Sequence, residues 1–279
     1  MEHEITRGTV ENDGVRLAYQ QYGRGPDVLM VNNFFMHADM WRSVTATLAE
    51  SHRVTVYDMR NQGDSTRTGR PVRWEDHLND LLAVVDGLGL EQPALVGTST
   101  SCLLCRDAAI ARPDAIGSIV LTGPALSPWG PDRHRRILES WLTAMDHGGA
   151  AALFDLCYPL IFGGRLVEEL GRTGYVGRKM GFLAHNDEDE LRSNMELSTG
   201  IDASPELLRE VACPTLVLVG DDDFGIGVAA ASGLADILPQ GSLRVLPRSG
   251  HLPYLDAPDL FQAEIVDFLK GGQISAAAT

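Results

Sequence analysis

Lysine is nearly missing from this chain. Lys179 and Lys270 are the only two in 279 residues, so almost all of the 23 positive charges are arginine. They stand against 38 acidic residues, which leaves a formal net charge of −15. A surface this acidic repels phosphate backbones and anionic lipid, so neither a nucleic acid nor a membrane is expected as a partner. It also repels anionic substrates at long range, although a local pocket can override that. Cysteine is scarce too. Cys102, Cys105, Cys157 and Cys213 form no CxxC pair and no His/Cys cluster at zinc spacing, so no metal and no cofactor is expected. Cys102 and Cys105 share one face of a predicted helix and read as small core residues. No apolar run reaches the ~18 residues needed to cross a bilayer, and the first ten residues lack the basic and apolar segments of a targeting signal. The expectation is a cytoplasmic protein that acts on a small-molecule substrate, with a homodimer left open.

What is present is ordinary globular composition, 44% hydrophobic and 22% charged. A chain of this length buries roughly 75% of its unfolded surface and needs no disulfide or metal to be stable. The first 124 residues alternate strand-like and helix-like runs. Residues 4–10 and 15–20 read as strands joined by the Asn12-Asp13-Gly14 turn, and 28–31, 53–57, 93–97 and 116–121 as buried strands. Helical spacing marks 41–50, 74–88 and 100–111. From Pro124 to about Asp202 only helical patterns occur, at 133–147, 149–158, 164–171 and 187–198. Strand rhythm returns at 215–219 and 243–246, with helices at 226–238 and 258–270. Strands separated by helices imply right-handed βαβ units and a mostly parallel sheet. The small, polar segment 272–279 reads as a disordered tail.

Three segments carry chemistry. In Gly97-Thr98-Ser99-Thr100-Ser101 a buried strand stops at a serine and turns directly into a helix. A serine on so sharp a turn projects its hydroxyl from the sheet edge. The Thr100 N–H behind it points where an oxyanion would form, helped by the helix N-terminus. The chain nearly touches itself there, which requires small residues at 97 and 101. A Ser/Thr-rich helix cap is the plainer alternative. The second segment is Ser249-Gly250-His251, where Gly250 permits a tight turn and the imidazole is free to reach the sheet edge. The third is Asp221-Asp222-Asp223 after the strand 215–219. One of these carboxylates can accept from His251 Nδ1–H and fix its tautomer. Asp223 is preferred, three residues beyond Gly220, with Asp222 as the alternative.

Together these segments resemble the α/β-hydrolase superfamily along essentially the whole chain. Tyr57-Asp58-Met-Arg60-Asn61-Gln62-Gly63-Asp-Ser65 looks like the family's loop Y-D-x-R-G-H-G-x-S, and Pro214 to Gly220 and Ser249-Gly-His251-x-Pro253 match in order. The resemblance implies an α/β class fold with a mostly parallel eight-stranded sheet flanked by helices. Its core would be residues 1–124 and 203–271, with a helical lid inserted at 125–202. It implies Ser99 as nucleophile, His251 as base and Asp223 as the acid that orients it. By position, Phe34 N–H would join Thr100 N–H in the oxyanion hole. Two departures stand out. Asn32-Asn33 replaces the usual His-Gly of the oxyanion loop, and Asn61-Gln62 replaces Gly-His. With Met40-Trp41, the first is similar to the branch that opens 3-oxoadipate enol-lactone.

Asn33, His37 and Trp129 are candidates for pocket lining, and Asp58 and Arg60 for braces of their loop. The expected reaction is hydrolysis of an ester or lactone. Carbon–carbon bond hydrolysis, a non-hydrolytic cyclase and a small-molecule receptor remain alternatives on the same fold. Dehalogenase and epoxide-hydrolase chemistry is disfavoured, because those relatives carry Asp at the position of Ser99.

Overall fold

Short apolar runs that end at glycine, proline or asparagine become the strands. The structure, a computed structural model, describes residues 5–69 and 71–271. The tail expected at 272–279 lies outside the described residues. Asp13 and Gly14 take φ of 49° and 75°, the left-handed pair of a two-residue hairpin turn. That turn joins β1 (Ile5–Asn12) to β2 (Val15–Tyr22). β3 (Asp27–Val31) and β4 (Arg53–Tyr57) follow, then α1 (Trp74–Gly87), β5 (Ala94–Thr98), α2 (Ser101–Ala111) and β6 (Ser118–Thr122). Three helices come next, α3 (Asp132–Ile161), α4 (Gly164–His185) and α5 (Glu188–Thr199). β7 (Thr215–Gly220), α6 (Val228–Ile237), β8 (Gly241–Leu246), α7 (Pro253–Asp256) and α8 (Pro258–Leu269) complete the chain.

The described residues form one eight-stranded sheet in the order β1-β2-β4-β3-β5-β6-β7-β8. β1 and β2 run antiparallel to their neighbours, and every pairing from β4 to β8 is parallel. Side chains on each strand alternate between two cores. Leu29, Val31, Leu95, Ile119 and Leu121 pack on one face, while Val28, Met30, Val96 and Val120 pack on the other. A strand covered on both faces reads as a continuous apolar run, which is why its burial is legible in one dimension. No helix of the described residues is long and apolar enough to cross a membrane.

Two expectations change. The helix expected over 41–50 is instead two short 3₁₀ helices, Ala38–Val44 and Leu48–Glu50. Asp58 holds the Ala38 N–H at 2.6 Å and Gln262 holds the Thr47 N–H at 2.8 Å. Those tethers, with β-branched Val44, Thr45 and Thr47 between them, leave no uninterrupted α-helical turn. The second change is a further helical stretch beyond Gly171, up to His185, where none was expected; Gly171 itself, at φ 53°, is a non-helical break at the end of the expected stretch. Gly148 and Gly149 are likewise non-helical and divide α3 into two helical stretches, as expected. Helices α3 to α5 have their own small core around Leu138, Met145, Leu153, Leu191 and Met195, apart from the two sheet cores.

Candidate active site

Ser99 lies just beyond the carboxyl end of β5 with φ of +53°, a left-handed angle that costs a non-glycine residue of order 1 kcal/mol or more. The turn is held from both sides. Ser99 N–H donates to Thr122 O at 2.9 Å, and Ser99 O accepts from Cys102 N and Ala125 N at 3.2 Å each. A Cβ on Gly97 would stand 2.8 Å from Cys105 Sγ and 2.9 Å from Ser101 O, so glycine is required there. Ser101, the small residue required two positions beyond Ser99, also uses its hydroxyl. Its Oγ accepts from Thr98 N–H at 2.8 Å and lies 2.9 Å from the carbonyls of Val31 and Thr98, tying the elbow to β3. Cys102 and Cys105 are fully buried, and burial drives both thiols upward in pKa, as suits packing residues.

His251 Nε2 stands 3.0 Å from Ser99 Oγ. On the other side of the ring, Nδ1 lies 3.1 and 3.2 Å from the two carboxylate oxygens of Asp223. A carboxylate accepts only, so Nδ1 carries the proton and Nε2 is left to accept from the serine hydroxyl. The neighbouring aspartates point elsewhere: Asp221 accepts from Ser249 N–H at 3.2 Å and Asp222 from Gly164 N–H at 2.6 Å. Asp223 is the one of the three that meets the histidine. Burial pulls the His251 pKa down, yet the charge and hydrogen bond of Asp223 outweigh it and leave the value raised. Burial pushes Asp223 up, but His251 and the N–H groups of Ile226 and Gly225 hold it below its usual value. Glycines leave room for the ring, since a Cβ on Gly123 or Gly225 would come 3.0 Å from Nδ1.

The loop after β3 is braced through both unusual stretches, Asn32-Asn33 and Asn61-Gln62. Asn32 replaces histidine and bridges two elements: its amide donates to Tyr57 O at 2.9 Å and its carbonyl accepts from Trp41 Nε1 at 2.6 Å. Asn33 Oδ1 accepts from Phe35 N–H at 2.9 Å. Gln62, the second departure, donates from Nε2 to Asn33 O at 3.0 Å. One buried contact therefore joins the two unusual stretches. Phe34 N–H and Thr100 N–H have no hydrogen-bond acceptor among the described residues. Asp58 and Arg60 sit as braces. Asp58 accepts from Ala38 and Asp64 N–H, and Arg60 grips Asp80 with two bonds of 2.6 Å.

Two cavities meet at Ser99 and His251. The larger, about 470 Å³, runs under α3 and α4 and is walled by Phe154, Tyr158, Phe162 and Phe182, with Asn33 and His37 from the loop after β3. The smaller, about 260 Å³, is bounded by Thr100, Ser127, His134 and the Phe224–Ile226 loop. Asn33 and His37 both line the larger cavity, and His37 stacks on His185 with ring centres 5.0 Å apart. Trp129 does not: it is 74% exposed and lines neither cavity. Just beyond it Gly130 takes φ of 124° and donates its N–H to Ser127 O at 3.2 Å. Sequence reasoning missed Arg133, whose guanidinium donates to the carbonyls of Phe224 and Gly225 beside the acid. Its partners are about ninety residues away in sequence, so no local pattern signals it.

A model of the alpha/beta hydrolase family matches residues 28–264. Among curated relatives, RutD of Caulobacter sp. (strain K31), named as a carbamate hydrolase, is 27% identical and aligns over 83% of this chain and 85% of its own. A pimeloyl-[acyl-carrier protein] methyl ester esterase of Nitrosospira multiformis is 25% identical over 92% of this chain and 99% of its own. Among solved structures, the enol-lactonase from Burkholderia xenovorans LB400 superposes with a TM-score of 0.80 at 23% identity. That superposition covers 95% of this chain and all of that one.

Proposed function

We propose that this chain, which belongs to the alpha/beta hydrolase family and is a hydrolase of that fold, cleaves an ester or lactone of a small, largely apolar molecule through an acyl-enzyme formed on Ser99. The observation that carries the reading is the continuous relay from Ser99 Oγ to His251 Nε2 at 3.0 Å and from His251 Nδ1 to Asp223 at 3.1 Å. His251 takes the hydroxyl proton as Ser99 Oγ attacks the carbonyl carbon, and the imidazolium gives that proton to the departing alkoxide. Water then repeats the sequence: His251 removes its proton, the ester bond to Ser99 breaks, and the proton returns to Ser99 Oγ. Asp223 stays ionised throughout and steadies the imidazolium. An esterase and an enol-lactonase among the similar proteins support acyl transfer to water as the chemistry.

The N–H groups of Thr100 and Phe34 serve as oxyanion donors in this reading. The Phe34 N–H belongs to the same peptide unit as the Asn33 carbonyl, so the bond from Gln62 Nε2 to that carbonyl orients and polarises the donor. Residues 125–202 act as a lid over a core of 1–124 and 203–271, and the substrate is a small molecule held between the two. Changing Ser99 to Ala tests the assignment, because it removes the nucleophile and leaves the elbow's backbone bonds. Hydrolysis of a p-nitrophenyl ester is expected to fall by about 10⁴-fold or more with the melting temperature unchanged. Turnover close to that of the parent would overturn the reading.

A further inference from the structure

Most of the larger cavity's wall is aromatic and aliphatic, and among the described residues that line it Arg178 is the one arginine or lysine. Arg178, on α4, lies with its guanidinium carbon 4.7 Å above the Phe162 ring. That stacking fixes the plane of the guanidinium and leaves its edges, with their N–H groups, free to donate. Among the described residues no carboxylate lies within 4.0 Å of it, and no hydrogen-bond acceptor meets it. The adjacent Lys179 shows the contrast, since its ammonium is bound to Asp155 at 2.6 and 2.8 Å. The Arg178 charge acts on Asp256 without pairing with it: Asp256 Oδ2 accepts from Gly250 N–H at 2.5 Å and Gly163 N–H at 3.1 Å, and its buried Oδ1 has no hydrogen-bond partner among the described residues. The acid on the cavity wall, Asp39, accepts from Gln20 Nε2 at 2.9 Å.

An arginine beside an apolar cavity with its fork unmatched fits a planar anion, because two parallel N–H···O bonds satisfy both partners at once. We propose that the larger cavity takes the apolar body of an ester or lactone whose far end carries a carboxylate, and that Arg178 receives that carboxylate. The proposal rests on the reading of Ser99 as nucleophile and specifies the substrate class of that site. It also resolves a conflict of sign. A chain of net charge −15 repels an anion at a distance, and only a cation inside the cavity can reverse that preference at contact.

Two matched p-nitrophenyl esters test it, one of a straight-chain acid and one of the same length ending in a carboxylate. For the parent protein the ratio of kcat/KM values, acidic over neutral, is the readout. Arg178→Met is expected to lower that ratio roughly 10- to 100-fold, the worth of a charged hydrogen-bonded pair, with the change in KM. Arg178→Lys, which keeps charge but loses the fork, is expected to fall between. An equal change for both esters would mean that Arg178 only braces Asp256 and Phe162, and would overturn the proposal. A second arm needs no turnover. Calorimetry of the half-ester of a straight-chain diacid, on Ser99→Ala protein with and without Arg178→Met, is expected to show the same tenfold or greater loss of affinity. Equal affinities would overturn the proposal whatever becomes of Ser99 as nucleophile.

Discussion

The sheet edge and the helices above it are built in opposite ways. β3, β5 and β7 bury every one of their residues, whereas α4 buries none of its twenty-two. The Ser99–His251–Asp223 relay hangs from the first region, and most of the larger cavity's wall comes from the second. Burial on both faces makes a strand a rigid mount, because any shift would open voids in two cores at once. A helix that packs through a shallow seam can change its side chains at little cost in stability. The difference teaches where each property can be altered: chemistry at the strand ends, selectivity in the helices.

The largest expected effect tests the rigid side. Asp223→Asn keeps the shape of the acid and removes its charge, and kcat/KM is expected to drop about 10³- to 10⁴-fold. The sign of the pH effect follows from His251. Its pKa is raised by Asp223, and it accepts the serine proton only when neutral, so the parent loses activity as pH falls through that raised value. Without the charge the acid limb is expected to move to lower pH, read from the pH profile of the residual activity. An unmoved limb would show that Asp223 does not set the histidine's protonation.

Leu95 and Met180 sharpen the contrast in stability. Leu95→Ala, fully buried in β5, is expected to cost about 3 kcal/mol by denaturant unfolding. Met180→Ala, on α4 at 67% exposure, is expected to change stability by less than about 0.5 kcal/mol. Comparable losses at the two sites would break the comparison. Between them lies Gln62→Leu. It leaves the Phe34 N–H in place but removes the side-chain donor to the Asn33 carbonyl, which keeps only Met36 N–H at 3.3 Å, so kcat is expected to fall about tenfold with KM nearly constant, less than the ~10²-fold or greater loss when an oxyanion donor is deleted.

Much of the site was legible because its requirements are local. Ser99 follows an apolar strand and precedes a helix, and the left-handed turn between them needs small neighbours at 97 and 101. His251 sits after Gly250 on a loop beyond the last strand. The choice among Asp221, Asp222 and Asp223 was harder, since three adjacent carboxylates look alike until the turn after β7 aims each in its own direction. Trp129 was misjudged because aromatic character alone does not say which way a loop side chain turns, and here it faces solvent. The helix expected over 41–50 failed for a related reason, as its ends are tethered by Asp58 and Gln262, which lie outside its own pattern.

By itself, the order of residues determined the parallel sheet, the helical stretch between β6 and β7 and the spacing of serine, aspartate and histidine. These depend on periods of two and 3.6 residues and on backbone angles, which neighbouring residues set. Only the tertiary structure decided that Gln62 holds Asn33, that Arg133 reaches Phe224 and Gly225, and that Arg178 stands over Phe162 beside an apolar cavity. Those contacts join side chains from separate elements, and side-chain position in space depends on how whole elements pack, which no local pattern records.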